Sequence, residues 1–88
     1  MMKRFDSLFG PVEITDERIR HILEFHPDLK PYLKKIPLAL ASPDFLKPSK
    51  RDREVMLFYR NLTSRRYLVV VIKTGKKNFL LTTYTTIL

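Results

Sequence analysis

The sequence contains no cysteine. That removes disulfides, thiolate catalysis and cysteine-based zinc sites together, and it fits a reducing compartment. Long hydrophobic runs are also missing. The longest, residues 67–72 (Tyr-Leu-Val-Val-Val-Ile), falls far short of the roughly 20 residues a membrane-spanning helix needs. Residues 1–7 carry charges, but no apolar stretch of leader type follows them. No basic amphipathic helix suited to an anionic bilayer is apparent. A soluble, cytoplasmic protein without a membrane partner is expected.

Motifs of common chemistry are absent as well. There is no P-loop, no GxGxxG, no Ser/His/Asp arrangement, no carboxylate pair placed for glycoside chemistry and no zinc finger. The two histidines, His21 and His26, are five positions apart. On a helix that spacing sets them about 140° apart, so they cannot grip one metal as an i,i+4 pair would. Neither a metal nor another cofactor is expected.

What is present is positive charge. Seventeen Lys+Arg stand against nine Asp+Glu, a formal charge of +8 over 88 residues. Chains of this balance attract polyanions, RNA first among them. The charge is uneven. Asp16, Glu17, Glu24 and Asp28 lie in the first third, whereas from Lys47 onward two acids, Asp52 and Glu54, face ten bases. The length allows one domain, residues 1–88, burying about 60–65% of the surface its unfolded chain exposes.

Periodicity predicts an α+β fold, with two N-terminal helices packed on a four-stranded antiparallel sheet. Residues 3–9 read as a short extended segment closed by Gly10 and Pro11. Thr15 reads as an N-cap, with Asp16 and Glu17 in the first helical turn, where the dipole favours carboxylates. Ile19, Ile22, Leu23 and Phe25 form the apolar arc of this helix, and Pro27 ends it near His26. A second helix is expected from Pro31, with Leu29, Leu33, Ile36 and Leu40 inward and a kink or break at Pro37. Four strands follow: residues 45–47, confined to an edge by Pro48, then 54–61, 67–73 and 78–85.

A tight 74–77 hairpin would set Tyr67 opposite Tyr84 and Val69 opposite Thr82. Leu68, Val70, Ile72, Phe79 and Leu81 would then share the core face. A two-residue tip at Thr63 and Ser64 would set Arg60 opposite Tyr67. Arg60, Tyr67, Thr82 and Tyr84 would then form one cationic, hydroxyl-bearing patch. His21, beside Arg18 at the seam between the helix faces, suits a phosphate-facing pair. His26 sits at the helix C-terminus, where an imidazolium is favoured, and otherwise reads as a packed histidine. Lys47, Lys50, Arg51, Arg53, Arg65, Arg66, Lys76 and Lys77 could track a phosphate backbone. Phe58, Tyr59, Tyr67 and Tyr84 are interleaved with them and could stack unpaired bases.

The run of residues 14–29, ITDERIRHILEFHPDL, resembles the opening helix of phage-encoded nuclease domains of the barnase–EndoU–colicin–RelE (BECR) fold. Ala41–Leu46, Val55–Arg60, Tyr67–Lys73 and Phe79–Tyr84 are similar to that family's later elements, so the resemblance spans residues 14–85 in order. It implies a RelE-like four-stranded antiparallel sheet with N-terminal helices and a metal-independent ribonuclease of toxin or effector type. It also implies a site built from His21 or His26, Arg60 or Lys73, Thr82 and Tyr84. Such an enzyme would cleave RNA by attack of a 2′-hydroxyl on the adjacent phosphate, with tRNA or ribosome-bound mRNA as substrate. It would need an acidic antitoxin or immunity protein to restrain it. Two other functions remain open from the residues: an RNA-binding or ribosome-associated module without catalysis, and a protein-interaction domain of a phage or mobile element.

Overall fold

A computed structural model of the chain describes residues 2–88. Its elements run β1 (Met2–Ser7), β2 (Gly10–Thr15), α1 (Asp16–Phe25), a 3-10 segment (Pro27–Lys35), α2 (Ile36–Ala41), β3 (Phe45–Pro48), β4 (Val55–Thr63), β5 (Arg66–Lys73) and β6 (Asn78–Ile87). The sheet has six strands in the order β1-β2-β6-β5-β4-β3. All neighbours are antiparallel except β2 and β6, which are parallel. The expected two helices on a four-stranded antiparallel sheet, RelE-like in plan, are therefore not what forms. The sheet is mixed and curled, and the helices are short.

The difference begins at the N-terminus. The segment expected to stand alone pairs with residues 10–15 as a hairpin, Met2 opposite Thr15 through Ser7 opposite Gly10. Gly10 makes the turn possible with φ of 99°, a left-handed conformation that side chains resist. Ser7 Oγ accepts from the Phe9 N–H at 3.0 Å and donates to the Gly10 carbonyl at 2.6 Å, which fixes the tip. Val12 and Ile14 turn into the core, and Val12 and Glu13 reach Asn78 and Phe79 of β6. The buried Asn78 locks this junction, its Nδ2 donating to the carbonyls of Phe9 at 2.8 Å and Pro11 at 3.2 Å.

Thr15 caps α1 as expected, its side chain accepting from the Arg18 N–H at 3.1 Å. The second helix differs from expectation. Residues 27–35 coil as a 3-10 segment with Pro31 inside it, whose ring would clash with the carbonyl four residues back on an α path. The α-helix proper starts at Ile36, where Pro37 falls in the first turn and is tolerated. Phe25, expected inward, is 78% exposed.

One sheet face is covered by these helical pieces. There Ile22, Leu29, Ile36, Ala39 and Leu40 bury against Val12, Ile14, Phe58, Leu68, Val70, Ile72 and Leu80. The opposite face carries a second cluster, Val55, Tyr59, Val69 and Val71, with Phe45, Leu57, Tyr67, Leu81 and Tyr84 around it. No helical residue joins that cluster among the described residues.

Two irregularities shift the expected registers. A shift between Asn61 and Thr63 sets Arg60 opposite Leu68 and Asn61 opposite Tyr67, with the tip at Ser64 (φ 49°) and Arg65. A second shift leaves Leu81 unpaired, since Val71 faces Thr82 while Ile72 faces Leu80. The turn contributes one further residue of displacement, Lys73 pairing with Phe79 rather than Asn78, so that Val69 opposes Tyr84 rather than Thr82 and Tyr67 opposes Thr86 rather than Tyr84. Leu80 and Thr83 take the core positions expected for Phe79 and Leu81, and Phe79 is 40% exposed. A bulge inserts one residue and reverses the alternation beyond it, which a strict period of two cannot anticipate.

Candidate functional site: the α1–β6 cavity

α1 lies beside β6. β2 pairs with β6 only at Asn78 and Phe79. Among the described residues no strand pairs with that side of β6 farther along, and α1 packs there instead. Between helix and strand opens a cavity of about 250 Å³ lined by Arg18, His21, Ile22, Phe25, His26, Leu81 and Thr82. The local sequence accounts for each placement. Ile22 is the buried anchor of α1. Arg18 and His21 are neighbours on one side of it at helical spacing. His26 is the C-cap, its N–H bonded to the Ile22 carbonyl at 2.8 Å, which brings its ring round to the cavity. Leu81, left unpaired by the β6 bulge, and Thr82 beside it form the strand side of the cavity lining.

The cavity gathers two imidazoles, one guanidinium and one hydroxyl, with no carboxylate in its lining. Such a set suits an anion. His21 is exposed and His26 half-buried, so both rings are open to solvent and to a ligand.

Of the six residues expected in catalysis, His21, His26 and Thr82 meet here, together with Arg18 from the expected RNA-binding set. The other three do not. Arg60 points to the helix-covered face, where its Nη1 donates to the Ser42 carbonyl at 2.8 Å and holds the end of α2. Lys73 is engaged by acids, its Nζ 2.5 Å from Asp52 Oδ2 and 3.8 Å from Glu54 Oε1. The hydrogen bond that Lys73 donates to Asp52 raises the Lys73 pKa above the ordinary 10.5 and lowers that of Asp52 below 3.8. Tyr84 stands on the uncovered face, level with Val69 and Tyr59. Burial, with Tyr59 alongside, pushes its phenol above the ordinary 10.0, so it stays protonated. Of the expected patch, Arg60 alone is separated, lying opposite Leu68 on the helix-covered face, while Tyr67, Thr82 and Tyr84 hold register positions of the uncovered face, Thr82 opposite Val71.

The remaining basic residues divide between two ends of the sheet. Lys50, Arg51 and Arg53 lie in the β3–β4 turn, and Lys76 and Lys77 in the neighbouring β5–β6 turn, where the Thr74 N–H meets the Glu54 carbonyl at 2.6 Å. Arg65 and Arg66 lie at the far end, the Arg65 guanidinium donating to the Leu88 carbonyl. Sequence reasoning missed Phe25 and Leu81 as cavity residues. The missing helical turn beyond Pro27, which leaves Phe25 uncovered, was the available signal for the first; none existed for the bulge.

Among the described residues no three His, Cys, Asp or Glu side chains gather as metal ligands. No helix among them is long and apolar enough to cross a membrane. No protein-family model matches the chain, and no curated protein and no solved structure matches it.

Proposed function

We propose that this protein is a metal-independent endoribonuclease acting at the α1–β6 cavity. The observation that carries the reading is the meeting of His21, His26, Arg18 and Thr82 around one cavity. Cleavage of RNA by its own 2′-hydroxyl needs a base, an acid and a cation at one phosphate. Five helical residues advance about 7.5 Å, so two imidazoles at that spacing can stand on opposite sides of a phosphate. One takes the 2′-hydroxyl proton as the oxygen attacks phosphorus. The other gives a proton to the departing 5′-oxygen, leaving a 2′,3′-cyclic phosphate and a 5′-hydroxyl. Arg18 balances the charge that builds on the phosphorane, and the Thr82 hydroxyl donates to a non-bridging oxygen. The exposed Phe25 ring at the cavity mouth offers a surface on which one base can stack. The +8 charge draws the substrate in, and an acidic protein would be the natural restraint on such an activity.

The second reading, RNA binding without turnover, draws on the positions of Arg60, Lys73 and Tyr84, all engaged elsewhere. Cleavage of end-labelled tRNA and a structured mRNA in EDTA separates the two. Cyclic-phosphate ends are expected from the wild type, with a bell-shaped pH dependence. His21→Ala and His26→Ala should each slow cleavage by about 10²–10⁴-fold while remaining folded. Salt-sensitive RNA binding with no cleavage at high protein concentration would overturn the enzyme and leave the binding module.

A further inference from the structure

The sheet face that no helix covers has a composition unlike the other. Across it runs a cross-strand row, Phe45, Tyr59, Val69 and Tyr84, one residue from each of β3, β4, β5 and β6. Phe45 stacks on Tyr59 with ring centroids 4.5 Å apart and planes at 14°, and meets Tyr67 edge-on at 5.6 Å. Lys47, on the same face, places its ammonium 5.8 Å from the Phe45 ring centre and 5.6 Å from that of Tyr59. The valines beneath are buried, while Phe45, Tyr67 and Tyr84 are half-exposed. The described strands β3–β6 contain no Asp or Glu, and the acids that reach this face, Asp52 and Glu54, stand at its β3–β4 turn end, where they hold Lys73 away from the aromatic row.

We infer that this face is a stacking platform for unpaired RNA bases, continuous with the cavity. The inference rests on the reading of the protein as one that acts on RNA, and names its substrate as single-stranded. Bases within a duplex are already stacked and cannot lie on protein rings, whereas unpaired ones can. Lys47 stands where a backbone phosphate would pass beside such bases. A second copy of the chain is a poor occupant, because it would bring another +8 charge and another Lys47 against the same surface. Continuity comes from Leu81. As the unpaired residue of the β6 bulge it packs with the platform cluster and also lines the cavity beside His21 and Thr82. A strand lying on the platform can therefore cross β6 at Leu81 and present its next phosphate to the histidines.

The chain has four tyrosines and no tryptophan. Three of the four, Tyr59, Tyr67 and Tyr84, are on the platform, so its intrinsic emission reports mainly on this face. The test is a titration with 2′-O-methyl oligouridine of about ten nucleotides, within the site sizes of about 4–16 usual for single-strand binders. This probe lacks the nucleophilic hydroxyl, so binding is read without cleavage. Saturable quenching is expected, weakening as salt rises and absent when the same strand is annealed to its complement. Tyr67→Leu should weaken binding by about 5- to 150-fold, the range for losing one stacked base. Lys47→Gln, at an exposed position where a side chain of similar length remains over the rings, should lower the salt slope by about one. Equal binding of single strand and duplex without quenching would overturn the platform. So would concentration-dependent self-association that shields the tyrosines from the probe. Cleavage of a dinucleotide too short to reach the platform is scored separately, so failure of one site is not mistaken for failure of the other.

Discussion

The two faces of the β4–β6 sheet are made of the same strands and differ residue by residue. On β4 the neighbours Phe58 and Tyr59 point opposite ways, at 0% and 7% exposure. Phe58 belongs to a face sealed by helices, where Leu68, Val70 and Ile72 are also fully buried. Tyr59 belongs to a face that no helix covers among the described residues, where Phe45, Leu57, Tyr67, Leu81, Tyr84 and Lys47 lie around the buried valines. A fully covered apolar face is what stability alone requires. An uncovered face that keeps half-exposed rings beside Lys47, its other lysine Lys73 held by Asp52 and Glu54 at one end, has a composition that stability does not explain.

That contrast can be broken most directly by truncation. Phe58→Ala should cost about 3–5 kcal/mol, lowering the melting temperature by about 4–8 °C for each of them. Tyr67→Ala, half-exposed on the other face, should cost only about 1 kcal/mol, roughly half the transfer value of a buried side chain. Equal losses in denaturant titrations would make the uncovered face a second core.

A subtler probe is Thr83, a fully buried polar residue on the covered face whose hydroxyl donates to the Val69 carbonyl at 2.6 Å. Thr83→Val keeps the shape and removes the donor. A loss of about 1–3 kcal/mol is expected, and Thr83→Ser should recover part of it. If valine matches the wild type in urea unfolding, the hydroxyl does not matter to that face.

The smallest effect concerns the ends of the sheet. Asp52, held by Lys73, has its pKa lowered, so its contribution is present above the ordinary value of 3.8 and disappears as pH falls through the depressed one. Lys73 is raised, so its share persists below 10.5 and is lost only above it. Unfolding midpoints of wild type and Asp52→Asn should differ slightly at neutral pH and converge in acid. A gap that survives acidification would assign the difference to something other than this pair.

Much of this was legible in the residues. Thr15 announces the start of α1, Pro48 marks β3 as an edge, and the alternation over β4–β6 gives three strands in the right order. The β1–β2 hairpin was not legible, because Gly10 and Pro11 read equally as the end of a lone segment. The 3-10 path of residues 27–35 turns on the fit of one ring, that of Pro31, against the preceding turn. The site was half legible. Helical spacing brings His21 and Arg18 together from sequence alone, while Arg60 was misplaced by one residue of register and Thr82 reaches the cavity through a bulge. Bulges depend on long-range fit, which local pattern does not record.

The parallel junction of β2 with β6 has a kinetic consequence. Every other strand pairing joins neighbours in the chain and closes a short loop. The Asn78 bonds to Phe9 and Pro11, by contrast, span 69 and 67 residues. Closing a loop that long costs entropy before any contact repays it. The local pairings of the β3–β6 meander can therefore form before the N-terminal hairpin docks onto β6. Asn78 serves as the latch that joins the beginning of the chain to its end.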